Sequence, residues 1–430
     1  MQRIDQKGKR KMTTMIISDM VRKIPVPADK KIKQKDYLLN GTLQIVDQGE
    51  GLVGGYTNDI SKAISTELPV IIFGDHTRAV KYINFPFGAG ADGIKVLKPK
   101  EGVLPKYLFY GLQYLVLRLE DRGYARHYQY LEKMALRTTD VKEQEHIVTR
   151  IEELFSELDN GVETLRKTKE QLAVYRQAVL KEAFEGKLTC EWRKEHLQND
   201  ETDIWDEICR YKTKCGNNNK YAQDEHIELP SLPKGWKWIS VGDIAHGVEY
   251  GTSKKSLKNG KVPVIRMGNI QNGSIDWSDL VYSDDEDEIS KYSLTKGDVL
   301  FNRTNSPELV GKTAVYNGGR KAIFAGYLIR INQFPCIDAN YLTYYLNSYT
   351  AKNYGNKVKT DGVNQSNING KKLCSYPFPL CSKEEQQRVV YELESRLSVC
   401  DFIEKTIDST LQQAESMRQS ILKEAFKGGK

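Results

Sequence analysis

The sequence predicts an α+β chain in which two similar globular domains alternate with two long helices, and the helices pair as an antiparallel coiled coil with approximate two-fold symmetry. Three observations carry this. First, Lys142 to Gly186 repeats without gaps as Glu384 to Gly428, at a constant offset of 242, with 17 of 45 aligned pairs identical. Second, both copies carry apolar residues in alternating steps of four and three, the signature of a helix with one sticky stripe. Third, the segment before each copy has the size of one domain and holds short strand-like runs punctuated by Gly, Asp and Asn.

In chain order the expected parts are a basic extension over 1–13, a globular domain over 14–140, a helical region over 141–198, a linker over 199–229, a second globular domain over 230–381 and a second helical region over 382–430. The extension carries Arg3, Lys7, Lys9, Arg10 and Lys11; translation could start at Met1, Met12 or Met15. The apolar patch Met15-Ile16-Ile17 is too short for a secretory signal. Strand-like runs include Leu68 to Phe73, Gly93 to Leu97, Val262 to Ile265, Asp298 to Phe301 and Tyr327 to Ile331, with helical stretches at 105–119 and 339–353. The stretch Asn199 to Glu228 is polar and turn-rich, and reads as an exposed linker.

The first stripe runs through Ile147, Ile151, Leu154, Leu158, Leu165 and Leu172; the second runs through Val389, Leu393, Ile403, Ile407, Met417 and Ile421. Gly161, Thr168, Arg396 and Thr410 interrupt them. The expected starts are Thr138-Thr139-Asp140 and Ser382, and the expected stops are Gly186 and Gly428. A helix of this size is roughly 65–70 Å long. Neither stripe can be buried alone, so each copy is the natural partner of the other.

Composition narrows the class. Hydrophobic residues are 39% of 430, enough for real cores, and no apolar run approaches the roughly 18 residues of a membrane span. A cytoplasmic protein is expected. The seven cysteines include no C-x-x-C pair and are read as free thiols. A net charge of +7 permits nucleic-acid binding without demanding it.

Several stretches together carry a family resemblance. They are Phe73-Gly-Asp-His-Thr-Arg78, Phe87 to Leu97, Gly123-Tyr-Ala-Arg-His-Tyr128, Leu232-Pro-Lys-Gly-Trp236, Lys296 to Arg303 and Val310-Gly-Lys312. To these add the pairs Glu143-Gln144 and Glu385-Gln386 and the two Leu-Lys-Glu-Ala-Phe endings. With this plan, the chain resembles the specificity subunits of type I restriction-modification systems, although its first half lacks a Leu-Pro-x-Gly-Trp opening. The resemblance implies two target-recognition domains that read a bipartite site on double-stranded DNA, one half each. It also implies two adenine methyltransferase subunits as partners, and translocase-nuclease subunits for restriction.

The motifs that suggest catalysis have plainer readings. Gly88-Ala-Gly90-Ala-Asp-Gly93 fits a dinucleotide fingerprint only formally, because a strand-like run follows it; tight turns needing positive φ account for it better. Gly311-Lys312-Thr313 ends like a phosphate loop, yet Ser306 stands where the earlier glycine belongs. Ser375 to Leu380 only superficially matches a methyltransferase signature. Asp75-His76 has no neighbouring metal-ligand or acid–base pattern. Hence no catalytic residue, metal or cofactor is expected in this chain; S-adenosylmethionine, ATP and Mg would belong to partners. A DNA-acting enzyme (nuclease or methyltransferase) and a coiled-coil adaptor with protein-only partners stay open as alternatives.

DNA contact needs cations for phosphates and Arg, Lys, Asn, Gln or His for base edges, on exposed loops. In the first domain His76, Arg78, Lys81, Tyr124, Arg126, His127 and Tyr128 have that chemistry. In the second, Arg303, Asn305 and Lys312 do, as do Lys352, Lys357, Lys359, Asn364 and Gln365, which lie in a run with five lysines and one acid, Asp361. The tyrosines of Tyr107-Leu-Phe-Tyr110 and Tyr341 to Tyr345 have helical spacing that favours core packing over base stacking. The acidic run Asp284 to Glu288 is expected to point away from a duplex or to meet a partner.

Overall fold

A computed structural model describes residues 13–65, 67–90, 93–123, 125–196, 204–216 and 228–427. The chain forms two compact units, Met1–Lys167 with Thr406–Lys430, and Thr168–Lys405. Each unit holds one globular domain and one part of each long helix.

In the first unit, strand Thr13–Ile16 pairs antiparallel with Ala135–Thr138, so the two ends of the domain meet. Between them an antiparallel sheet has the spatial order Val21–Ile24, Ile94–Pro99, Val70–Gly74, Val80–Ile83. Val70 to Phe73, an uninterrupted apolar run, is fully buried, as a strand covered on both faces must be. A second sheet orders Lys31–Ile32, Gly88–Gly90, Leu43–Val46 and Gly55–Thr57. Gly88–Gly90 of the glycine-rich run is therefore strand, not turn. A Cβ at Gly88 would lie 2.7 Å from Ile32 and one at Gly90 would lie 2.7 Å from Asp47, so close sheet packing demands glycine there; Gly93, at φ +72°, is the turn. Helix Pro105–Val116 starts with proline at its first position and buries Tyr107, Leu108, Leu112 and Leu115.

The second unit repeats this topology. Lys237–Ser240 pairs with Pro377–Leu380. Its main sheet orders Ala245–Tyr250, Leu328–Gln333, Val299–Asn302 and Thr313–Val315. Taken in chain order, both main sheets run first, fourth, second, third. The mixed sheets correspond as well: Val262–Ile265 is antiparallel to Val281–Ser283 and parallel to Ile323–Phe324, as Leu43–Val46 is to Gly55–Thr57 and Gly88–Gly90. Helix Ala339–Leu346 takes the place of Pro105–Val116. The expected exposed linker is partly structured: helix Ile204–Lys214 docks on this domain, Tyr211 stacking on Phe334 and Lys212 bridging Asp243 at 2.6 Å.

The long helices span Val141–Phe184 and Lys383–Lys427. Asp140 caps the first by accepting from Glu143 N, and Ser382 caps the second by accepting from Glu385 N. Gly186, at φ +68°, ends the first; Gly428 lies outside the described residues. Within each unit the beginning of one helix lies against the end of the other. Val148, Ile151 and Phe155 share a core with Leu422 and Phe426 in the first unit; Val179, Leu180, Ala183 and Phe184 share one with Val389, Val390 and Leu393 in the second. Of the expected stripe, Ile151, Val389, Leu393 and Ile407 are buried, while Ile147, Leu154, Leu158, Leu165, Leu172, Ile403 and Ile421 are partly buried. Met417 is exposed, and its neighbour Arg418 faces the other helix instead. An α-helix drifts against a strict seven-residue repeat, so the seam slips by one residue.

Each helix start is clasped to its domain in the same way. Gln144 Oε1 accepts from Leu104 N at 2.8 Å, and Gln386 Oε1 accepts from Asp338 N at 2.9 Å. Tyr107 and Tyr341 each donate to a backbone carbonyl of the closing strand, at Arg137 and Pro379. Phe426 and Phe184, the ends of the two helix repeats, pack their rings on those tyrosines. Among the described residues no helix is long and apolar enough to cross a membrane.

Candidate nucleic-acid interface

In the first domain the turn after strand Val70–Gly74 carries Asp75, His76 and Arg78. Arg78 sits at φ +64°, held by bonds to Leu119 O at 3.2 Å and Asp121 at 2.7 Å. His76 Nδ1 lies 3.2 Å from Ala125 O. Buried Asp75 accepts from Tyr128 N at 2.9 Å and pairs with Lys95 at 3.3 Å. These bonds zip the turn to the loop 119–128. Arg126 stands exposed on that loop, and Tyr124 lies outside the described residues.

Three expected DNA-facing residues point inward. His127 is fully buried, its Nδ1 3.1 Å from Asp75 O. Tyr128 is buried against Phe73, and burial pushes its hydroxyl up to about 12. Lys81 is 4% exposed and donates to Asp47 O at 2.8 Å; burial pushes its ammonium below the ordinary value, opposed by the Asp47 charge. The Lys81 and His127 side chains anchor the loops beginning at Asp47 and Asp75 rather than presenting a surface, and Tyr128 joins them through its backbone N–H to Asp75.

In the second domain Arg303 follows strand Val299–Asn302, lies over the Tyr250 ring at 4.8 Å and donates to Gly326 O. Tyr250 in turn accepts from Gly370 N at 2.7 Å. Thr304–Asn305 continues into a small sheet with Ser366–Asn367 and Thr360–Asp361, whose tip is residues 362–365. Val363 is wholly exposed there, and Asn364 and Gln365 are exposed beside it. Asn305 accepts from Ser306 N, and Lys359 is tied to Pro307 O and Asp361, whereas Lys357 and Lys352 are exposed. Lys312 donates to Gln271 at 3.1 Å. So Arg303, Asn305, Lys359 and the tip form one patch, while Lys312 and Lys352 belong to a separate cleft.

The acidic run holds a basic loop of the same domain: Lys254 pairs with Asp285 at 2.6 Å and Lys261 with Glu286 at 2.6 Å. Lys255 and Lys258 project from that loop and were not singled out from the sequence. Their spacing in Lys254-Lys-Ser-Leu-Lys258 was the available signal. Among the described residues no group of His, Cys, Asp and Glu could hold a metal ion.

Residues 233–413 match the type I restriction modification DNA specificity domain. The second half of the chain thus carries a type I DNA specificity domain. The match opens inside Leu232-Pro-Lys-Gly-Trp236, whose tryptophan donates to Glu385 at 2.8 Å. A protein of Methanocaldococcus jannaschii named as the MjaX type I restriction enzyme specificity subunit is 31% identical over 209 residues, 47% of this chain and 48% of the relative. The EcoKI specificity subunit of Escherichia coli K12 is 26% identical over 292 residues, 66% of this chain and 55% of the relative. The matched stretch thus spans about half the length of each. A chain solved in a study of type I restriction-modification complex assembly has the same fold, with TM-score 0.66 over 96% of this chain and 97% of its own, at 16% identity.

Proposed function

We propose that this chain is the non-catalytic, sequence-reading subunit of a type I restriction-modification complex. It reads a gapped DNA site, one half per globular domain, and scaffolds two adenine methyltransferase subunits, with restriction subunits joining the complex where they exist. The observation that carries the reading is that two domains of one topology hang from two copies of one helix. Two similar modules suit a duplex, whose backbone has two-fold symmetry of its own. The helix pair would act as a ruler that sets the unread gap. His76, Arg78 and Arg126 would serve one half-site; Arg303, Asn305, Lys357, Lys359, Asn364 and Gln365 would serve the other. Methyl transfer and DNA translocation would use S-adenosylmethionine, ATP and Mg held by partners.

The test is co-expression with a type I methyltransferase subunit from the same genome, in a methylation-free host, followed by single-molecule sequencing for N6-methyladenine. A gapped two-part motif, absent with the methyltransferase alone, is the expected result. A stable complex that leaves the DNA unmethylated would overturn the reading.

A further inference from the structure

Within the second unit, the first long helix and the globular domain enclose a cavity of about 300 Å³. Its floor is apolar, with Leu172, Leu180, Ile270 and Tyr344. Four cations line it, Lys169 and Arg176 from the helix and Lys312 and Lys352 from the domain, against one carboxylate, Glu404. Glu404 is already engaged by Arg176 at 3.1 Å and Lys169 at 3.7 Å, and Arg176 also holds Asp401 at 2.7 Å. The domain's two ammoniums face no carboxylate in the cavity wall. Desolvation at that wall, and then the Lys312 charge, push the Lys352 ammonium below its ordinary value. Two like charges held at one cleft leave a positive potential that only an anion relieves.

The helix repeat supplies an internal control. At the offset of 242, Lys169, Leu172, Arg176 and Glu404 correspond to Leu411, Ala414, Arg418 and Val162. Those four line the equivalent cavity of the first unit, where the walls add Arg166 and three carboxylates, Asp159, Glu163 and Glu415. The fold therefore does not require a basic cleft at this place: the helical cation Lys169 of the second unit stands where the other helix copy has Leu411.

We infer that this cleft is a phosphate-binding site in which Lys169 of the long helix acts with Lys312 and Lys352 of the domain. The helix then contributes to ligand binding as well as spacing. The site rests on its own charge and shape; only the source of the phosphate, DNA backbone or free phosphate compound, rests on the DNA-reading role proposed above.

The experiment uses the full chain and two variants, Lys169→Leu and Lys352→Gln. The first installs the residue that the other helix copy already carries, and matching thermal unfolding midpoints confirm folding. Lys405→Ala, exposed elsewhere on the helix pair, is the control. Inorganic pyrophosphate binding is measured by calorimetry, and duplex DNA binding by anisotropy across a salt series. Both variants are expected to lose pyrophosphate affinity at least tenfold while the control keeps it. If the phosphate is DNA backbone, the slope of log affinity against log salt also falls by about 0.9 per lost contact. An unchanged slope with lost pyrophosphate binding keeps the site and assigns it to a free phosphate compound. Wild-type protein that binds pyrophosphate through these lysines but never binds DNA keeps the site and sinks the DNA reading. Variants indistinguishable from wild type in both assays, or a wild type that binds neither probe, overturn the inference.

Discussion

Arg176 donates to Asp401 at 2.7 Å, and the residues 242 positions away repeat the contact with roles exchanged: Arg418 bridges Asp159. Reciprocity of this kind, i to j and j to i, is what a self-complementary two-fold interface produces. Here it arises inside one chain from two copies of one helix, and each bridge lies within its own unit.

The bridges orient the helices more than they stabilise them. Asp401 and Asp159 are largely solvent-exposed, and exposed ion pairs contribute about 0–1 kcal/mol. Arg176→Ala is therefore expected to cost less than about 1 kcal/mol in a urea melt. Arg418→Ala should cost somewhat more, because its guanidinium also covers the Phe155 ring at 4.3 Å. Losses beyond about 2 kcal/mol for Arg176→Ala would show that the pair is a main stabilising element.

A harder asymmetry separates Glu385 from its repeat partner Glu143. Glu385 is buried; it accepts from Arg193 Nε at 2.8 Å, Thr189 Oγ1 at 2.7 Å and Trp236 Nε1 at 2.8 Å. Glu143 is partly exposed and makes none of these contacts. Removing one partner of a buried, bonded charge pair costs about 3–5 kcal/mol, whereas a surface change costs about 0.5 kcal/mol. Glu385→Ala should thus lower the unfolding midpoint strongly and Glu143→Ala barely. Equal effects would refute the network's role.

The contrast also marks how far the sequence could be read. Both Glu-Gln pairs were visible as repeats, but only one glutamate gained a tryptophan, because the first half lacks the Leu-Pro-x-Gly-Trp opening. The helices were legible since their pattern is local. The common strand order of the two globular domains was not, because Val21–Ile24 pairs with Ile94–Pro99 across some 70 residues, and strand pairing leaves no periodic trace over such a gap. Residue chemistry likewise does not report burial: Lys81 and His127 have the side chains of DNA contacts, yet Asp47 and Asp75 turn both inward. Met417 failed for a third reason, the drift of the seam.

Tyr341 and Tyr345 are both fully buried in helix Ala339–Leu346, but their hydroxyls differ. Tyr341 donates to Pro379 O at 2.8 Å, while the Tyr345 hydroxyl has no hydrogen-bond partner among the described residues. A satisfied buried hydroxyl contributes about 1 kcal/mol, and an unsatisfied one is a desolvation cost. Tyr341→Phe should destabilise by about 1–2 kcal/mol, leaving Pro379 O unbonded. Tyr345→Phe should be neutral or stabilising. Calorimetric midpoints that rank the two the other way would contradict this assignment.

The tip at residues 362–365 gives the sharpest functional expectation. Asn364 and Gln365 are exposed on a turn whose position is fixed by pairing of Thr360–Asp361 with Ser366–Asn367. Amide side chains can bond adenine bidentately, and a good base contact is worth about 1–3 kcal/mol of discrimination. Changing Asn364 and Gln365 together to alanine removes base-reading chemistry but leaves the tip's backbone bonds and the lysines around it. In the co-expression assay, the methylated motif is then expected to relax in one half only, with the other half and the gap length unchanged. Relaxation of both halves would mean that the domains do not read independently. An unaltered motif would place base reading elsewhere in the second domain, with the loop carrying Lys255 and Lys258 the next surface to change.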